Sequence, residues 1–313
     1  MSKRYIFIVI FVIALFTGTF VMRQHQLPSA DAVSDNVVPS QPVAVERIIS
    51  LAPSITEMLF ALGLGDKVVG VTRFCSYPEV VNDTARYTRV GGIVDTDYEA
   101  IMRLKPDLVV LQQGSGKQAD MLDKAGIVYC ALVQSQINDI MTDFLNLGRV
   151  TDRSEQANRI VTNLRQRISK LQQGHVGKKR LRVLIVIGRD YSSDPISRVT
   201  VAGFKSFYND MLHILNCENA YQGKISWPDL TTEGLMKCNP DVIVELIADH
   251  SRINLSNDEL IEQWKGIPQL NACKAGQVSI YDDGYEFIPG PRFILTLEKL
   301  AVTVDGARLK YGE

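Results

Sequence analysis

The sequence predicts an α/β protein of two similar lobes with mainly parallel sheets, joined by one long rigid helix. Three observations predict it. The first is a repeat: residues 98–110 read YEAIMRLKPDLVV and residues 232–244 read TEGLMKCNPDVIV. Glu99 aligns with Glu233, Met102 with Met236, Arg103 with Lys237, Pro106 with Pro240 and Asp107 with Asp241. Each copy reads as a short helix, a Pro-Asp turn and a strand ending in β-branched residues. The copies lie too far apart for a solenoid repeat, so each belongs to its own lobe. The second observation is alternation. Strand and helix patterns follow one another with short turns, which favours a parallel sheet covered by helices. The third is the run Ile160, Leu164, Ile168, Leu171 at helical spacing. It predicts a helix of roughly 20 residues and about 30 Å, long enough to act as a strut between lobes.

The chain has 313 residues, with 46% hydrophobic and 22% charged residues. That is the balance of a globular protein. A formal net charge of −1 gives no electrostatic case for nucleic-acid binding. Lys3 and Arg4 precede an apolar run from Tyr5 to Met22, so residues 1–22 read as an export signal or an N-terminal membrane anchor. Ala30-Asp31-Ala32 is a candidate cleavage site distant from that run, and both fates stay open. Either places the rest of the chain outside the cytoplasm. No cysteine precedes Cys75, so a lipoprotein attachment residue is missing. Residues 23–45, rich in Pro, Ser, Asp and Gln, read as a disordered linker.

Residues 46–313 form the folded part: lobe one over 46–150, the bridging helix over 151–174 and lobe two over 175–313. Ile48 to Leu51 is a strand. Pro53-Ser54 opens a helix, with Glu57 as a capping-box partner of Ser54, and Gly63 and Gly65 end it. Val68–Val71 is the next strand. A loop from Thr72 to Thr96 leads into the first repeat copy, where Thr96 could form a capping box with Glu99. A helix over 117–124 and a strand over 127–132 follow. Asp152, with Glu155, caps the long helix, and Gly174 closes it. Val183–Ile187 starts lobe two, and residues 209–215 resemble residues 56–62. The lobes agree in order except for one insertion each. Lobe one carries extra residues between Gly70 and Glu99. Lobe two carries RDYSSDPISRVTVAGF, residues 189–204. Both insertions follow strands, and in open α/β sheets ligands sit beyond the carboxyl ends of strands. Both are expected to be ligand-facing walls of two Rossmann-like lobes.

Enzyme motifs fail. Gly114-Ser115-Gly116-Lys117 invites a phosphate-loop reading, but Leu111 and Gln118 occupy places that need Gly and Ser or Thr. Ser115 is not in a nucleophile elbow. Gly63-Leu64-Gly65 follows a helix, not a strand. The four histidines are far apart, which disfavours a free metal-ion receptor. The five cysteines are scattered, with no C-x-x-C pair. A disulfide among Cys217, Cys238 and Cys273 and buried free thiols are both open readings.

RIISLAPSITEMLFALGLGDKVVGV, then RVGGIVDTDYEAIMRLKPDLVVLQQG and late in the chain PRFILTLEKL resemble the extracytoplasmic substrate-binding proteins of ABC importers. The class is the helical-backbone one that carries iron-siderophore, haem and cobalamin cargo. The resemblance runs from about residue 46 to 305 and includes ISWPDLTTE, similar to a docking segment of the cobalamin type. It implies a periplasmic protein that captures a metal chelate in an interlobe cleft, works without catalysis or a resident cofactor, and delivers to a permease dimer. The resemblance carries the docking role onto Glu99 and Glu233. A carboxylate in the first turn of a surface helix is also favoured by the helix dipole.

The cargo is less legible. The cobalamin type lines its cleft with aromatics, but this chain has two Trp. Trp227 matches, Phe74 replaces a tyrosine, and Ile93 and Gln112 stand where that type has tryptophan. The last loop keeps Tyr285 but lacks the arginine before Pro-Arg. Ligand candidates are Arg73 for an anionic chelate, Phe74 and Tyr77 for stacking, Cys75 as a thiolate ligand, Gln112, Arg189, Tyr191, Trp227 and Tyr285. Glu286 is a further candidate for closing the cleft. An anchored sensor or scaffold on the same binding fold is the alternative function.

Overall fold

The computed structural model describes residues 38–192 and 195–312. The expected signal or anchor and the start of the expected linker lie outside these residues. Among the described residues the chain divides into two compact units, one holding 38–134 and 138–162, the other 135–137 and 163–312. The boundary falls inside the longest helix.

In lobe one, β1 (Ile48–Ser50), β2 (Val68–Val71), β3 (Thr88–Arg89), β4 (Leu108–Gln112) and β5 (Tyr129–Leu132) form one sheet in the order β3-β2-β1-β4-β5. All four pairings are parallel. Ile49, Leu51, Val109 and Leu111 share one buried cluster with Ile101 of the repeat helix and Leu122. The helices are α1 (Pro53–Ala61), α2 (Tyr98–Leu104), α3 (Gly116–Lys124) and α4 (Ile137–Val150). Sequence reading missed α4, whose apolar residues Ile137, Ile140, Met141, Phe144 and Leu147 are buried at helical spacing. The long α5 follows over Ser154–His175.

Lobe two holds β6 (Arg182–Arg189), β7 (Arg198–Val201), β8 (Glu218–Asn219), β9 (Asp229–Thr231), β10 (Val242–Leu246) and β11 (Val278–Tyr281). The parallel core runs β11-β10-β6, with β8 parallel to the start of β6. The far half of that β6 edge takes β7 antiparallel, and β9 pairs antiparallel with β7. Arg198–Val201 of the insertion at 189–204 are therefore a sheet strand and not a free loop. The helices are α6 (Phe207–Ile214), α7 (Thr232–Cys238), α8 (Asn257–Lys265), α9 (Asn271–Lys274) and α10 (Phe293–Lys310).

The repeat has a physical reason inside each lobe. Asp107 Oδ2 accepts from the Arg47 N–H at 2.8 Å, and Asp107 N–H donates to the Arg47 carbonyl at 2.9 Å. Asp241 Oδ2 accepts from the Arg182 N–H at 2.9 Å, and Asp241 N–H donates to the Arg182 carbonyl at 2.8 Å. Each Pro-Asp turn thus registers its own central strand entry. Asp107→Ala frees the exposed Glu46 and Arg47 N–H groups and Asp241→Ala the half-buried Arg182 N–H, so each is expected to cost about 0.5–1.5 kcal/mol. Paired urea denaturation curves check this; a loss in one lobe only would break the equivalence.

Several cap assignments differ from expectation. Ser54 does not cap α1: it is buried, and its Oγ donates to Gln134 Oε1 at 2.7 Å. Asp97, not Thr96, caps α2, accepting from Ala100 N–H at 2.8 Å. Asp152 sits at φ 56, and α5 begins at Ser154. The end of the expected linker is also tied down, since Val43 N–H donates to the Val150 carbonyl at 2.8 Å.

Candidate functional site

Glu99 and Glu233 occupy the same position in two helices of the same length. Asp97 caps α2, and Thr231 caps α7 by accepting from Gly234 N–H. Both helices end on a left-handed residue, Lys105 at φ 45 and Asn239 at φ 36, before Pro106 and Pro240. The glutamate side chains are 85% and 77% exposed. Arg103 stands 3.7 Å from Glu99 and Lys237 stands 2.9 Å from Glu233, each one turn on. The hydrogen bond from Lys237 holds the Glu233 carboxyl below its ordinary range. Met102 and Met236 are 53% and 48% exposed, three residues beyond each glutamate and on the same face. Each lobe therefore presents a carboxylate, a cation and an exposed thioether on one short helix. The sequence alignment had paired the methionines without showing that they are exposed.

The lobe-one loop after β2 is stapled by Arg89. Its guanidinium donates to the carbonyls of Thr72 at 3.1 Å, Cys75 at 2.8 Å and Val81 at 3.0 Å. Sequence reading had given Arg89 no role, because its partners are backbone groups. Outside this staple, Arg73 binds Asp95 through both terminal nitrogens and lies over the Phe74 ring at 5.4 Å. Phe74 and Tyr77 are exposed. Arg73 and Phe74 thus form an exposed cation-aromatic pair, and Tyr77 is exposed on the same loop.

Two candidates in lobe one turn inward instead. Cys75 is buried, with Thr56 and Thr72 hydroxyls each 3.1 Å from Sγ. Burial pushes its thiol up, so it stays protonated and out of reach of a metal. Gln112 is buried, and its amide donates to Gln134 Oε1 at 3.1 Å. That oxygen also takes Ser54, so Gln112 belongs to an interior amide network.

Arg189 is the main correction in lobe two. Its side chain and that of Glu245 are both 0% exposed, with Nε to Oε1 at 2.7 Å. Nη1 donates to Gln263 Oε1 at 2.7 Å, and Trp264 Nε1 donates to Glu245 Oε2 at 2.7 Å. The guanidinium lies over the Tyr191 ring at 4.7 Å. Arg189 therefore holds Tyr191 and α8 in place rather than meeting a ligand. Burial, with the nearby Glu245 charge, pushes the Tyr191 hydroxyl up, so it stays protonated. Trp227 is half-buried and meets Tyr208 edge-on, with ring centroids 6.2 Å apart. The Tyr208 hydroxyl donates to the Glu286 carbonyl at 2.7 Å, which couples this aromatic pair to the last loop. Tyr285 is half-buried under the Arg292 guanidinium at 5.3 Å. Glu286 is fully buried and accepts from Lys299 at 3.0 Å, so it anchors the Tyr285 turn instead of closing over cargo. All five cysteines are free thiols.

The family described as periplasmic binding protein matches residues 48–285. An uncharacterized ABC transporter substrate-binding lipoprotein of Bacillus subtilis is 29% identical over 83% of this chain and 80% of its own length. A vitamin B12-binding protein of Yersinia pestis is 31% identical over 70% of this chain and 76% of its own length. The crystal structure of a possible iron-binding, periplasmic solute-binding protein from Staphylococcus epidermidis matches with a TM-score of 0.68 and 27% identity. It covers 83% of this chain and 98% of that one.

Proposed function

Because the chain belongs to the periplasmic binding protein family, we propose that it is the substrate-binding component of an ABC importer for a metal chelate. It works on the outer side of the cytoplasmic membrane, free or tethered by residues 1–22. Vitamin B12 and iron, named for two of its relatives, set the range of cargo: a cobalamin-like corrinoid, haem or a ferric siderophore. The observation that carries this reading is the twin presentation of Glu99 and Glu233 on equivalent capped helices. A permease dimer offers two equivalent basic patches to two equivalent carboxylates, and such charge pairs set register and on-rate.

Lobe one contributes Arg73, Phe74 and Tyr77 to cargo recognition, and lobe two contributes Tyr191, Trp227 and Tyr285. Aromatic faces suit a flat or bulky chelate, and Arg73 suits an anionic one. Capture needs no chemistry, and delivery follows from docking. Phe74→Ala combined with Trp227→Ala is expected to weaken chelate binding by at least about tenfold, equal to ~1.4 kcal/mol. Titration of cobalamin, haemin and a ferric hydroxamate against both proteins checks it. Unchanged affinity for the chelate that binds would remove these residues from the site.

A further inference from the structure

Lobe two holds an open pocket of about 380 Å³ at the carboxyl ends of β6 and β10. Ile187, Leu246, Ile247 and Phe287 line it, and Ile253 and Leu255 belong to the segment that borders it. Its size lies in the range of small-molecule sites, roughly 300–1,000 Å³. The Arg252 and Arg189 charges beside it are each paired with a carboxylate, while among the described residues the Asp190 carboxylate bonds only to a serine. Arg252 Nε stands 2.5 Å from Asp249, Asp190 accepts from Ser192 at 2.6 Å, and Arg189 is neutralised by Glu245 at 2.7 Å. The lining is mostly apolar and the Asp190 carboxylate is exposed to water, so an uncharged apolar group would lose water from both surfaces.

His250 ties the segment Asp249–Leu255 to the residue after β11 and to its own far end. His250 Nδ1 lies 2.9 Å from Asp282 Oδ2, and Nε2 lies 2.7 Å from the Leu255 carbonyl. A carboxylate and a carbonyl only accept, so both ring nitrogens must donate to keep both bonds. That requires the imidazolium. We propose that this pocket binds a compact, uncharged apolar group of a small-molecule ligand, and that protonated His250 latches the segment bordering it.

The surroundings support the latch. Asn257 Nδ2 also donates to Asp282 at 3.2 Å, and the Lys299 charge acts on the same carboxylate. Asp249 and Arg252 pair with each other on the same turn, and Glu259 is taken by Ser256 at the start of α8. The bond to Leu255 and then that to Asp282 raise His250 above its ordinary value. The latch is therefore complete below the ordinary histidine value of ~6.5 and is lost as pH rises through the raised one.

The test uses the full chain and an uncharged fluorescent naphthylamine, N-phenyl-1-naphthylamine. Saturable one-site binding is expected, weakened at least about tenfold by Ala248→Phe, which fills the pocket from an exposed position. Leu255→Trp is the second filling variant should the first fail to fold. Wild-type affinity is expected to fall between about pH 6 and about pH 8.5, and His250→Gln to flatten that profile. Binding that is absent, or indifferent to both filling variants, overturns the site; the same pH profile in His250→Gln overturns the latch. Chelate titrations on the same samples separate the two readings. Loss of probe binding alone counts against the pocket, and failure to bind any chelate alone counts against the transport proposal.

Discussion

Reversing both docking glutamates, Glu99→Arg together with Glu233→Arg, is expected to cut cargo uptake at least about tenfold while chelate affinity stays at its wild-type value. An exposed ion pair contributes only about 0.2–1 kcal/mol, so removing one charge has a weak effect. Reversal differs in kind, because it turns attraction into repulsion at both contact points. The folding cost is small. Each arginine would face the positive end of its helix and a cation one turn on, Arg103 or Lys237. Both positions are exposed, so these terms are weak and the melting temperature should move by a few degrees at most. Uptake into cells carrying the variant, beside equilibrium binding of the purified protein, separates delivery from capture. Undiminished uptake by a folded, chelate-binding variant would take the two glutamates out of docking.

The largest stability change is expected at Glu245. Its carboxylate joins Arg189, Trp264 and, through Arg189, the Tyr191 ring, with both charges at 0% exposure. Glu245→Ala strands a buried guanidinium, and losing one partner of such a pair costs about 3–5 kcal/mol. Arg189→Met with Glu245→Leu removes both charges and should be less damaging than either single alanine variant. Urea midpoints of the three proteins decide this. If the single and double variants lose the same stability, the pair is not the reason this corner of lobe two is rigid.

How far the sequence could be read depended on where each residue finds its partners. The repeat helices, β1, β2, β10 and the long α5 were legible because apolar period and turn residues are local signals. The twin placement of Glu99 and Glu233 was legible for the same reason. Residues whose fate is settled by distant partners were not. Arg189 looks like a surface cation until Glu245 and Gln263 are placed beside it. Cys75 looks reactive until Thr56 and Thr72 enclose it, and Gln112 looks available until Gln134 takes its amide. RVTV of β7 was hidden inside an insertion because an antiparallel edge addition follows no repeat. The exposed faces of Arg73, Phe74 and Tyr77 were expected on a wall, and the loop that presents them is set by the Arg89 staple.

The most direct measurement is native mass spectrometry of the protein purified from its own cell envelope. The account predicts a one-to-one adduct whose isotope pattern contains iron or cobalt. An adduct free of metal would contradict it.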